Sequence, residues 1–169
     1  MKRLRAAAGT LIFLFLAPGV VAGLVPWLLT GWRSAGPPAW LEAVGRLLAG
    51  VGVAVVLEAF ARFAVEGIGT PAPAAPTERL VVGGLYRYVR NPMYLAVAAV
   101  IAGQALVLGR WVLVGYDLVF GLIVWSFVHW YEEPTLRRQF GSAYDGYRAT
   151  VPGWWPRRPR SRASNRHVS

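Results

Sequence analysis

Four apolar runs, each near the ~20 residues needed to cross a bilayer, constrain this chain more than any other feature. They cover about Thr10–Leu29, Leu41–Val65, Pro92–Leu108 and Trp111–Trp130. With 56% hydrophobic residues and eight tryptophans, the composition lies outside the soluble globular range. The first run sits behind a basic "MKRLR", as a signal peptide would. No convincing small-residue cleavage site leads from it into a soluble domain, and three further runs follow, so it reads as a retained helix. The expected fold is all-α integral membrane, with about four transmembrane helices, a C-terminal helical hairpin and cytoplasmic polar segments.

The net charge of +10 suggests nucleic acid until its placement is considered. Lys2, Arg3 and Arg5 precede the first run; Arg79, Arg87 and Arg90 lie between the second and third. Arg137, Arg138, Arg148 and the tail "RRPRSR" follow the fourth, whereas the opposite loops hold only Arg33 and Arg110. This is the positive-inside pattern of a multi-pass protein of the cell (inner) membrane with both termini cytoplasmic. The basic tail then contacts anionic lipid headgroups, and no nucleic-acid partner is expected. The absence of cysteine excludes disulfides, thiolate metal sites and a cysteine nucleophile. His129 and His167 are too few for a histidine metal cage, so no metal is expected.

Residues 1–66 hold two helices joined by a Gly/Pro-rich outer loop, with Trp27, Trp32 and Trp40 at belt positions. Residues 67–156 begin with "GIGTPAPAAP", which cannot continue a helix, and "TERLVVGGLYRYVR", partly β-prone with a Gly83-Gly84 turn. Only Gly109-Arg110 separates runs three and four, which must form a tight antiparallel hairpin. Residues 157–169 read as a basic disordered tail. The irregular polar sequence falls on the cytoplasmic side, where chemistry is expected.

"AGVGVAVVLEAF" imitates a dinucleotide glycine loop but lies inside an apolar run without a preceding strand. Gly45, Gly50 and Gly52 read instead as points of close helix approach. Ionisable residues within or near the runs include Glu58, which can pair with Arg62 four residues on, and Arg46 and Asp117, placed to pair between helices. Asn91-Pro92 reads as an N-cap and first helical position, whose positive end suits an anionic ligand group. A plainer reading makes Arg87 and Arg90 snorkelling anchors. Glu132 and Glu133 end the fourth run, where the helix dipole disfavours them by ~0.3–1 kcal/mol each. Glu133 can pair with Arg137 if the helix passes Pro134, and Glu132 has no local cation. The hairpin returns Glu132 to the level of Asn91.

"GLYRYVRNPMYL" followed one hairpin later by "EEPTLRRQFGSAYDGYRATVPGWWP" resembles the isoprenylcysteine carboxyl methyltransferase family and the wider group that includes phospholipid methyltransferases. The resemblance covers Glu78 to about Pro156 and implies a methyltransferase core over 67–156. It implies S-adenosylmethionine as cofactor without a Rossmann domain. By position, the cofactor residues would be Glu78, Arg79, Leu80 and Val81, then Tyr86, Asn91, Pro92, Met93, Tyr94 and Glu132. Asn91 replaces a more usual histidine. Val128 stands where the eukaryotic enzymes carry an arginine tied to the prenylcysteine carboxylate, so another lipophilic small-molecule or lipid acceptor is expected.

An acceptor carboxylate or thiolate needs no general base; an amine or phenol does, with Glu58, Glu133, His129 or a tyrosine as candidates. Two other classes compete: an NADPH-dependent sterol-reductase-like enzyme and a non-enzymatic membrane protein. The first wants a larger membrane body; the second leaves Glu132 and Asn91-Pro92 without a task.

Overall fold

The computed structural model describes residues 17–66 and 80–157, with backbone alone for 63–66. Helices dominate the described residues, with no strand among them. The start of the first apolar run, the segment holding Glu78 and Arg79, and the tail beyond 157 lie outside the described residues. Five helices follow in order: α1 (Val20–Thr30), α2 (Ala39–Glu66), α3 (Pro92–Leu108), α4 (Trp111–Phe140) and α5 (Ser142–Thr150). The stretch before α3 that looked β-prone contains a 3₁₀ turn, Gly84–Arg87. Two helices are long and apolar enough to cross a membrane, Ala39–Arg62 and Trp111–Phe140. Val20–Thr30 and Pro92–Leu108 are shorter apolar helices.

The α2–α3 contact dominates the packing, and small residues make it close. A Cβ on Gly103 would lie 2.7 Å from Ala49 N and 2.7 Å from Gly45 O, and one on Gly52 would lie 2.8 Å from Ala96 O. Gly45 is equally confined, 2.6 Å from Gly103 O. Gly50, expected in the same role, faces open space. Above this seam Val56, Phe60, Ala96, Val97 and Ile101 form the main core, with Val21, Ala22 and Phe120 packed against it.

Gly109, at φ +62, takes the left-handed conformation that ends α3 and lets α4 return after Arg110. The outer loop is tied to this turn: Ala35 N–H donates to Leu108 O, and Arg110 Nε donates to Arg33 O. The first turn of α1 is a π turn, Val20–Leu24. Its carbonyls accept from Tyr116 Oη at 2.8 Å and Gln104 Nε2 at 2.7 Å. Arg46 does not reach Asp117. It pairs with Glu42 one turn back at 2.6 Å, and Asp117 Oδ1 is buried without a partner among the described residues.

The fourth run does not stop at Trp130. A π turn, Val128–Glu132, carries the helix onward, and Glu133 N–H reaches back to Val128 O. Pro134, with no N–H to give, follows directly in the first turn of the renewed α-helix, which runs to Phe140. The extra residue in that turn rotates everything beyond it by about 100° relative to an uninterrupted α-helix.

Gly103→Ala should lower the melting temperature of the purified protein, because backbone blocks the new methyl and overpacking costs ~1–3 kcal/mol. Gly115→Ala, with nothing within 4 Å of its Cβ position, should leave melting unchanged or raise it. Equal behaviour of the two variants would contradict the seam.

Candidate functional site at the ends of the hairpin

The rotation imposed by the π turn aims two adjacent carboxylates at the first turn of α3 and the residues just before it. Glu132 Oε2 accepts a hydrogen bond from Tyr94 Oη at 3.1 Å, and Glu133 Oε1 accepts from Arg90 Nη1 at 2.6 Å. The "YRYVRNPMYL" and "EEP" segments therefore meet, as the hairpin required. The pairing of Glu133 differs from expectation. Arg137 turns to Asp145 of α5 at 2.7 Å, while Glu133 holds Arg90 and, at 3.4 Å, Arg148. Arg90 and Glu133 side chains are only 12% and 14% exposed, so Arg90 is an internal tie and no snorkelling anchor.

Asn91 occupies the N-cap position, but its side chain makes no cap bond. Its amide Nδ2 instead donates to Gly153 O at 3.1 Å. The returning C-terminal segment runs alongside and offers the carbonyl that this amide takes. Arg90 N–H donates to Pro152 O and Arg157 N–H to Tyr88 O, so residues 152–157 are laced to the turn.

Tyr144 and Tyr147 complete the site, and residue-level reading had not singled them out. Tyr144 accepts from Arg90 at 3.0 Å, and Tyr147 Oη donates to the Tyr86 carbonyl at 2.6 Å. Their spacing of three on an amphipathic helix was the available signal. Tyr86 is buried with Ala59 and Val81, and Met93 bridges this group to the main core. Burial first, then the nearby Glu132 charge, pushes the Tyr86 phenol far above its ordinary range. Burial likewise raises Tyr144 and Tyr147, partly offset by the Arg90 cation. These phenols keep their protons at neutral pH.

The structure thus brings together Tyr86, Asn91, Pro92, Met93, Tyr94 and Glu132, with Val81 buried against Tyr86 and half-buried Leu80 beside it. His129 is exposed and stacks on Trp125, with ring centroids 5.4 Å apart. Glu58 pairs with Arg62 at 2.8 Å, as its spacing predicts. It lines an open groove of about 670 Å³ between α2 and the 3₁₀ turn, with Val51, Ala54, Val55, Leu85 and Arg87. Gly84, at φ +54, closes that groove; a Cβ there would strike Glu58 Oε1 and lie 2.6 Å from Arg62 Nε.

Together these features define a protein that is all-helical among the described residues, with two helices long and apolar enough to cross a membrane and a polar, tyrosine-rich site at one end of a helical hairpin. The phospholipid methyltransferase family matches residues 40–143, from α2 through the turn and the paired glutamates into α5, and the chain belongs to that family. Protein-S-isoprenylcysteine O-methyltransferase of Schizosaccharomyces pombe is 36% identical over 80 residues, 46% of this chain and 33% of the yeast protein. The matched part therefore spans about a third of that relative's length. No solved structure matches.

Glu133→Gln should destabilise the ligand-free protein strongly, since breaking a buried ion pair costs ~3–5 kcal/mol. Arg137→Ala, which removes an exposed pair, should cost ~0–1 kcal/mol. Thermal unfolding of both in detergent checks this; similar melting shifts would contradict the assignment of Glu133 as the internal tie.

Proposed function

We propose that this chain is an integral membrane methyltransferase that uses S-adenosylmethionine and methylates a lipophilic small molecule or lipid at the cytoplasmic face. The observation that carries this reading is the Tyr94–Glu132 contact, which joins the two motifs into one site. The donor set suits such a cofactor. It combines a carboxylate for a cationic or hydroxyl group, protonated phenols, and the start of a helix for a carboxylate. Leu80, Val81, Tyr86, Pro92, Met93, Tyr94 and Glu132 would hold it, with Glu78 and Arg79 assigned by the family resemblance. Asn91 contributes by fixing the start of α3 against Gly153, its amide being committed there. When bound, the cofactor supplies an electrophilic methyl group.

The residues of this chain then act mainly by positioning, since in-line approach with water excluded supplies most of the rate. Tyr86 and Met93 form an apolar wall against water, and Glu132 orients the cofactor. Should the acceptor need a base, Glu58 is favoured over Glu133 and His129. It lines the open groove and has one oxygen, Oε2, outside its pair with Arg62, whereas both oxygens of Glu133 are engaged, by Arg90 and Arg148, and His129 is stacked on Trp125.

The proposed topology has four spans in the cell membrane with both termini cytoplasmic, supported by the arginine asymmetry and the apolar helices. Reporter fusions after Ser34 and Gly109 should read external, and those after Ala74 and Ser161 internal; an external C-terminus overturns it.

Calorimetric titration of the purified protein with S-adenosylmethionine should show saturable binding. Glu132→Gln should weaken it about tenfold or more, the loss of a charged hydrogen bond, while the variant remains folded. No binding by the wild type, or unchanged affinity in Glu132→Gln, would sink the reading.

A further inference from the structure

Beyond α5, residues 151–157 return across the turn before α3 and are fastened there at both ends. At one end Val151 is buried, Pro152 O accepts from Arg90 N–H at 2.9 Å, and Gly153 O accepts from the Asn91 amide at 3.1 Å. Gly153 passes so close that a Cβ on it would lie 3.1 Å from Arg90 Nη2. At the other end Arg157 N–H donates to Tyr88 O at 3.0 Å. Between the fastenings stand Trp154, Trp155 and Pro156, and the Trp155 indole is 82% exposed. Pro152 and Pro156 fix the backbone on either side of it, so the loop is stiff and holds the indole out.

The neighbours of that indole are of one kind. Tyr88, Arg87 and Arg157 are exposed beside it, and Arg158, Arg160 and Arg162 follow in the sequence, which has no acidic residue after Asp145. Tyr88 precedes the first residue of α3 by four positions, so the patch lies at the end of an apolar helix. Tryptophan, tyrosine and arginine at that level suit the headgroup zone of an anionic membrane.

We propose that residues 151–157 form a strap that reads the membrane surface: anionic lipid engages Trp155 and the arginines, and thereby fastens the start of α3, on which the candidate site is built. The segment that carries the surface chemistry also carries the carbonyls that hold Arg90 and Asn91. Only in the fastened form do Tyr88 and Arg87 of the turn stand beside Trp155 and Arg157 of the strap. An anionic surface therefore binds that form better and shifts the population toward it. On neutral lipid the strap opens locally, and Arg90 N–H and the Asn91 amide lose their acceptors. The consequence for the methyl donor rests on the methyltransferase reading, whereas the response of the strap to lipid does not.

The test uses the full-length protein without S-adenosylmethionine, in nanodiscs of phosphatidylcholine alone or mixed with phosphatidylglycerol. Hydrogen–deuterium exchange read at single amides should slow about fivefold or more at Arg90 and Arg157 in the anionic discs, while Gly103 to Leu108 of α3 exchange alike in both. Trp155→Ser should erase the difference and Trp155→Tyr should restore it. Glycerophosphoglycerol, the free headgroup, should have no effect on the protein in neutral discs. In a second arm, S-adenosylmethionine should bind wild type about fivefold more tightly in the anionic discs and Trp155→Ser equally in both. Exchange indifferent to lipid, a lipid effect that survives Trp155→Ser, or the same effect from the free headgroup would overturn the proposal. Altered exchange with equal donor affinity would overturn the link to the site. The exchange arm contains no donor, so failure of the strap and failure of the methyltransferase reading are told apart.

Discussion

The ion pair between Arg90 and Glu133 ties the turn before α3 to the end of α4, and Tyr144 and Arg148 draw α5 onto the same point. The turn before α3 and two consecutive helices thus share one internal contact. Its energetic value lies less in net stability than in the penalty for breaking it, since either charge left alone is costly in a mostly buried setting. That penalty makes the arrangement all-or-none. With Glu133 fixed, the preceding carboxylate faces Tyr94; with Arg90 fixed, its backbone N–H meets Pro152 and Asn91 meets Gly153. The candidate site is therefore a consequence of a structural pair that itself touches no ligand in the proposed scheme.

Helix α2 serves both halves of the proposed chemistry. One part of its surface carries Ala59 against Val81 and Tyr86, and another forms the groove wall with Glu58. Gly84 lies over the Glu58–Arg62 pair two residues before Tyr86, so the groove and the tyrosine site share one short turn. Such a layout suits a reaction whose two partners arrive from different phases. Close packing of α2 on α3 through Gly45, Gly52 and Gly103 holds the two sides in register.

Much of the architecture was legible because it follows from run lengths and breakers. The α3 bounds, the Gly109-Arg110 reversal and the Glu58–Arg62 pair were all readable from spacing. The meeting of the two motifs followed from hairpin geometry alone. What was not legible depended on backbone irregularity and on distant partners. No periodicity announces the π turn at Val128–Glu132, yet it turns Glu133 from Arg137 to Arg90. Asn91 has the composition of a cap, but its side chain makes no cap bond, and its amide reaches a carbonyl 62 residues away. Arg46 chose Glu42, a neighbour on its own helix, over a partner that would have required ordering across helices.

The central claim is that Tyr94 and Glu132 act as one unit in holding the methyl donor. A double-mutant cycle on S-adenosylmethionine affinity, with Tyr94→Phe, Glu132→Gln and the combined variant, tests it most directly. Coupled groups in one hydrogen-bond network deviate from additivity by ~0.5–3 kcal/mol, and a deviation of that size is predicted here. Additive losses, or an affinity untouched by either change, would contradict the account.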